Sequence, residues 1–380
     1  MNNDTHIAPQ DPVYCGIDLH SNNLVMALVD GQGTRLKQTR LPCDLKRVLA
    51  FLEPWKGRLK RLAVESTYNW YWLVDGLDDA GYPIDVVNPA QFTPYQGLKH
   101  SDDLSDAWFI ADMLRLGVLP VGYRYDREER PVRDLLRRRS LLVRQRTTQY
   151  LSLKSLHSRN HGQTVGLSEL KKWDSQRAAK LFPNRADQLL VNQQLLLIQQ
   201  LSQSIREIEK EVFRVAKPRP EFRRLQSISG VGKILGMTLL MEIGRIERFA
   251  SPENLASYAR CVPAPRVSNG KSKGRNNRKW GNRYLGWALV ESAHCAIRSD
   301  GAAQRYYQRK SAQANPSVAT KALACKLCKA VWHVWHDQTE YDPVRVFGPQ
   351  SESISGRAAG SQKRGCPRGT DLIGSCSPSP

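Results

Sequence analysis

The sequence predicts an α/β domain, then long polar helices, then a second and mostly helical domain. Three observations carry that prediction. Short alternating apolar stretches separated by turn residues fill the first part of the chain. From about Pro131 they give way to long helical patterns. Pro218 and Pro220 then mark a boundary, beyond which helical patterns flank a strongly basic loop.

Taken in order, Val13 to Asp18 (VYCGID), Asn23 to Val29 and Thr34 to Leu41 read as three short strands joined by turns such as Asp30-Gly31. Asp44 is the expected N-cap of a helix reaching Leu52. Arg61 to Glu65 reads as a fourth strand, Trp70 to Ala80 as a helix, Pro83 to Val87 as a fifth strand, and Asp103 to Leu116 as a helix. Three antiparallel-type strands followed by alternating helix and strand is the order of a ribonuclease H-like (resolvase-like) α/β domain, though other α/β folds share it.

Beyond it, Arg133 to Leu156 is a helix rich in Arg and Leu. Val191, Ile198, Ile205 and Val212 recur at heptad spacing, with Leu201 and Ile208 between them and Gln194 interrupting. A helical hairpin within the chain and a coiled-coil contact between copies both fit. Leu225 to Ile243 carries a Gly-Val-Gly turn between two helical patterns. Gly230 and Gly232 there fit either a helix-hairpin-helix-like phosphate contact or a tight helix connection. Helices at Pro252 to Ala259, Tyr284 to Ile297 and Pro316 to Trp335 complete the second domain. The expected divisions are a disordered N-terminus (1–12), the α/β domain (13–130), a helical or coiled-coil linker (131–216), the C-terminal domain (217–340) and a disordered tail (341–380), poor in apolar residues.

Charge narrows the function classes. Lys and Arg number 57 against 36 acidic residues, a formal net charge of +21. A surplus of that size favours a polyanionic partner, because neutralising phosphates releases condensed counterions. Neither a membrane-spanning run nor a secretory leader is visible, and the eight scattered cysteines read as free thiols, so a cytoplasmic protein that binds no membrane is expected. Cys325-x-x-Cys328 with His333 and His336 has a zinc-like spacing, but the run around it is a helical pattern without a ligand turn.

Two constellations carry chemistry. Asp18 ends the first strand (GIDLH), Glu65 ends the fourth (AVEST), and Asp103 and Asp106 lie three apart on one helix face. Singly, each reads as a turn or helix-start residue. Together, on two strands adjacent in such a fold and on the following helix, they form an oxygen-donor set suited to Mg²⁺. The second constellation is Ser268 in a loop with Arg266, Lys271, Lys273, Arg275, Arg278, Lys279 and Arg283 close by. Such a loop binds phosphate, and its serine is either a nucleophile favoured by the cationic surroundings or an inert exposed hydroxyl.

GIDLHSNN, AVESTYNWYWL, the Asp103 to Ala107 string, LQSISGVGK and SNGK…NRKWGNRYLGWALVESA, in that order, resemble the DEDD transposases of insertion sequences over roughly residues 13 to 335. The resemblance implies Mg²⁺-dependent cutting and rejoining of DNA by Asp18, Glu65, Asp103, Asp106 and the nucleophile Ser268. It also implies an element-encoded guide RNA, and a dimer or tetramer in which one copy's carboxylates meet another's serine. Asp102 offers a second assignment of the third carboxylate, and Ser268-Asn269 stands where many members carry two serines. The competing readings are a hydrolytic nuclease or junction resolvase, and an inactive nucleic-acid-binding relative.

Overall fold

The computed structural model describes residues 11–87, 103–216, 219–262, 265–268, 271–275 and 281–349; for 103–104, 265–268 and 271–275 it describes the backbone. Five strands, β1 (Val13–Leu19), β2 (Asn23–Asp30), β3 (Arg35–Pro42), β4 (Leu59–Glu65) and β5 (Ile84–Val87), form one sheet in the order β3-β2-β1-β4-β5. The first three pair antiparallel, whereas β4 runs parallel to both β1 and β5. This is the ribonuclease H-like arrangement that the element order predicts.

Composition explains where each strand lies. β1 and β2 are apolar on both faces and buried almost throughout, as central strands covered on two sides must be. β3 is the charged, exposed edge, where unpaired backbone groups are protected by cationic side chains. Cys15, Ile17, Leu62 and Val64 face α1 (Leu45–Leu52) and α2 (Tyr71–Asp79), packing with Val48, Leu52, Leu73 and Leu77. The other face carries α3 (Asp103–Arg115), whose Ala107 and Ala111 pack on Val25, Ala27 and Val29. Asp44 caps α1 as its sequence position predicts, accepting from the Lys46 amide at 2.9 Å.

α4 (Arg130–His161) and α7 (Arg185–Val215) form a long hairpin, closed at its tip by α5 (Leu167–Leu170) and α6 (Ser175–Leu181). Val191, Ile198, Ile205 and Val212 are all buried within the chain, as the hairpin reading requires. The heptad seam is filled within the chain, with Leu153 and Leu156 of α4 packing near Val191 and Ile198.

The C-terminal body comprises α8 (Pro220–Ser227), α9 (Lys233–Ile243), α10 (Pro252–Tyr258), a strand pair β6 (Pro265–Ser268) and β7 (Lys271–Arg275), then α11 (Arg283–Ser299), α12 (Gly301–Gln313), α13 (Pro316–His336) and α14 (Pro343–Phe347). α13 runs unbroken through Cys325 and Cys328, so the helical reading of that segment holds. α12 was not legible, because its polar sequence buries only Ala302 and Ala303 and so lacks an apolar stripe. The predicted tail begins too early, since Tyr341 and Phe347 pack against the helical core and Lys326 donates to the Val346 carbonyl at 2.6 Å. The rest of that tail, 350–380, and residues 1–10 lie outside the described residues. Among the described residues no helix is long and apolar enough to cross a membrane.

Candidate active site

Strand register places the first two carboxylates. Ile17 pairs with Val64 across the parallel β1–β4 ladder, so Asp18 and Glu65, the next residue on each, end neighbouring strands side by side. Alternation puts both on the α3 face, in line with Gly16 and Ala63. Asp18 is buried (4% exposed), and its Oδ2 lies 2.9 Å from Nε2 of His20. Glu65 is half-buried.

α3 brings the remaining pair to the same end. A Cβ on Gly16 would sit 2.1 Å from the Ala107 carbonyl oxygen, so the helix lies directly on β1 there and only glycine admits it. Arg115, at the other end of α3, lies against Gly33 in the β2–β3 turn, at the opposite end of β1 from Asp18. The helix therefore runs antiparallel to β1. Asp103, four residues or about 6 Å before Ala107, shifts towards the end that Asp18 reaches two residues, about 7 Å, beyond Gly16. Asp106 is half-buried; Asp103 opens the helix, but its side chain lies outside the described residues, as does all of Asp102. No group of three metal-ligating side chains stands together among the described residues.

Asn69 joins the two strand ends. Its Nδ2 donates to the His20 carbonyl at 2.9 Å, while its Oδ1 accepts from the Thr67 hydroxyl at 2.9 Å. The loop after Glu65 is thereby tied to the turn after Asp18. Neither Asn69 nor His20 was singled out from sequence. His20 had a signal, since alternate residues of GIDLH share a face, whereas Asn69's partner is 49 positions away.

The serine lies on a hairpin in what the sequence presents as a loop. Ser268 ends β6 and pairs with Lys271 of β7, and Val267 pairs with Ser272. The side chains of Ser268, Arg266, Lys271, Lys273 and Arg275, and the whole of Arg278 and Lys279, lie outside the described residues. Arg283 is described, exposed at the start of α11 with its guanidinium 5.0 Å from the Tyr284 ring centre. The hairpin's exit is pinned. The Asn282 amide donates to the Tyr258 carbonyl at 2.7 Å, and Arg260 donates to the Gly281 carbonyl at 2.8 Å. Gly230, a predicted phosphate contact, has a packing reason: a Cβ there would meet the Ser292 carbonyl oxygen at 2.2 Å. Gly232, at the N-cap of α9, has nothing within 4 Å of its Cβ position.

Comparison with known proteins bears on both halves. A family model described as Transposase, of the DEDD IS110 kind, matches residues 15–158, and one described as Transposase IS116/IS110/IS902 family matches residues 222–308. The chain belongs to this transposase family. The first match contains Asp18, Glu65, Asp103 and Asp106, and the second contains Ser268. The chain is 24% identical over 244 residues to the transposase for insertion sequence element IS1111A of Coxiella burnetii, covering 60% of this chain and 63% of that protein. It is 32% identical over 120 residues to the insertion element IS900 uncharacterized 42 kDa protein of Mycobacterium paratuberculosis, covering 31% of this chain and 30% of that protein. The chain thus spans less than two thirds of the curated relatives it matches. Among solved structures it is similar to T. thermophilus RuvC in complex with Holliday junction substrate, at 18% identity and a TM-score of 0.23, covering 29% of this chain and 99% of that one. Strand order and register define the fold of the N-terminal domain.

In this transposase-family chain a buried ionic network joins the two matched segments. Glu242 of α9 is 1% exposed and accepts from Arg133 at 2.9 Å, from Arg137 at 2.6 and 2.8 Å, and from Asn282 at 2.7 Å. Burial pushes its carboxyl up; the Arg137 hydrogen bonds and the charges of Arg133 and Arg137 outweigh that and hold it below its ordinary value. Asn282 also caps α11 through Oδ1, so the exit of the serine hairpin is fixed to the same network. Towards the sheet, Arg130 pairs with Asp75 of α2 at 2.8 Å, and the Tyr125 hydroxyl donates to the Glu242 carbonyl at 2.7 Å.

Proposed function

We propose that the chain is a transposase that cuts and rejoins the DNA of an insertion sequence. The observation that carries this reading is the placement of Asp18 and Glu65 on neighbouring strand ends, beneath the end of α3 that bears Asp103 and Asp106, in a chain of the DEDD transposase family. The donor set fits a divalent cation. All four groups are carboxylates, and Asp18 is buried with its Oδ2 2.9 Å from Nε2 of His20. Asp18, Glu65, Asp103 and Asp106 would hold Mg²⁺, which supplies charge neutralisation at a phosphodiester.

The serine hairpin supplies the nucleophile in this reading. Ser268 Oγ forms a bond to phosphorus while a backbone P–O bond breaks, and the serine proton ends on the departing hydroxyl. The phosphoserine ester conserves the bond for rejoining. Arg266, Lys271, Lys273, Arg275, Arg278, Lys279 and Arg283 would neutralise the phosphates around it. The family resemblance implies an element-encoded guide RNA and a dimer or tetramer in which the site is completed between copies, and the net charge of +21 suits RNA as well as DNA. The protein acts in the cytoplasm, on the nucleoid.

The test is to trap the ester. Protein, Mg²⁺ and co-purifying RNA are mixed with labelled element-end and target DNA, quenched in denaturant, and resolved for a covalent protein–DNA band. The band should vanish in Ser268→Ala and in Asp18→Ala. Cut DNA without a covalent band would make the chain a hydrolytic nuclease, with the hairpin only holding phosphate.

A further inference from the structure

The antiparallel registers continue the carboxylate row across the sheet. Asp18 pairs with Val25 of β2, and Val25 pairs with Arg40 of β3. Arg40, Val25, Asp18 and Glu65 therefore form one cross-strand row. Val25 packs against α3, which identifies the face, and pairing puts Arg40 on that face too. Arg40 stands two strand spacings, about 10 Å, from Asp18. It is exposed on the open edge strand, and its Nη1 lies 3.5 Å from Asn23 Oδ1, beside the turn that follows Asp18 and His20. Two other cations of β3 lie away from this end of the row. Lys37 points to the opposite face, with its ammonium 5.6 Å from the Phe51 ring centre, and Arg35 stacks on Trp108 at 5.0 Å at the far end of the strand.

We infer that Arg40 binds a backbone phosphate of the nucleic acid whose cleaved phosphate lies at the Asp18–Glu65 strand ends, fixing the direction in which that strand crosses the sheet. This rests on the proposed function. A cation on the row of the carboxylates, but two strands away, has a geometric reason to be there. Nucleic acid presents a phosphate charge at regular short intervals, so a strand with one phosphate at the carboxylates and running towards β3 brings a neighbouring phosphate over Arg40. The carboxylate cluster repels every phosphate that a cation does not neutralise, so an arginine at its margin both selects and orients the strand.

The experiment measures binding of a labelled DNA duplex with a single-stranded tail across a salt series, with Ca²⁺ in place of Mg²⁺, for wild-type, Arg40→Ala, Arg40→Lys and Lys37→Ala proteins. Arg40→Ala should weaken binding several-fold and lower the slope of log affinity against log salt by about 0.7–0.9, the loss of one phosphate contact. Arg40→Lys should restore the slope, and Lys37→Ala, the same charge on the same strand but the opposite face, should leave it unchanged. Far-UV circular dichroism melts should coincide for all four. If wild-type binds DNA and Arg40→Ala binds with the same slope, the Arg40 contact is wrong while the proposed function stands. Equal losses in Arg40→Ala and Lys37→Ala would reduce the effect to general edge charge and overturn the inference. A wild-type protein that binds no DNA would remove both readings.

Discussion

Glu242→Ala removes a single carboxylate from the centre of the C-terminal body and leaves two guanidinium groups behind it. Arg133 and Arg137 are 11% and 28% exposed, so neither can turn freely into water. Both also stack on rings, Arg133 at 3.7 Å from the Tyr125 ring centre and Arg137 at 4.4 Å from that of Tyr284. Those contacts persist in the variant and keep the arginines where they are. Breaking a buried pair by deleting one partner costs about 3–5 kcal/mol. The loss of the Asn282 hydrogen bond falls within that range, because the bonds of one carboxylate are not additive. Urea unfolding followed by far-UV circular dichroism should show a midpoint lower by about 1 M or more. Glu242→Gln keeps the volume and should cost nearly as much, since charge and not shape holds the arginines. The carboxyl is held below its ordinary value of 4.5, so its contribution is complete above that value and disappears as pH falls through the depressed one. The gap between wild-type and Glu242→Gln should therefore close only below pH 4.5. A loss smaller than about 1 kcal/mol at neutral pH would refute the network as the joint between α4, α9 and α11.

Three further outcomes follow from packing. Gly16→Ala forces a Cβ against backbone atoms of α3 at 2.1 and 2.4 Å, so it should destabilise by about 1–3 kcal/mol in urea melts and abolish the covalent DNA band, because α3 can no longer seat Asp106 near Asp18. Gly230→Ala, at a positive φ of 86° and against the Ser292 carbonyl, should unfold at markedly lower urea than wild-type, while Gly232→Ala should melt normally and show in a DNA-binding titration whether the α9 amides touch phosphate. Ile198→Ala should cost about 2–4 kcal/mol and leave the mass measured by light scattering unchanged, since the side chain faces the interior of the α4–α7 hairpin.

The amino-acid sequence by itself determined the strands, the helical hairpin and the candidates for chemistry. Local rules are enough for these. Short apolar runs bounded by turn residues mark β1 and β2, Asp44 caps what it precedes, and the heptad run of α7 is buried position for position. Asp18, Glu65 and the Asp103/Asp106 pair were visible because each stands at the end of a recognisable element. What only the tertiary structure decided are relations between distant residues. Glu242 is an acid inside an apolar helix, and the sequence shows that oddity, but its partners Arg133 and Arg137 lie 109 and 105 positions away. The heptad seam closes on α4 of the same chain, which no spacing along α7 can specify. Arg40 is one of many arginines in a basic chain, and it acquires a meaning only through register, because side-chain period in a strand is two and a shift of one residue would have turned it to the other face. That position 230 admits only glycine becomes visible once α11 is seen against it. Each of these depends on which surfaces meet, and that choice is made by burial of the whole chain and not by any local run of residues.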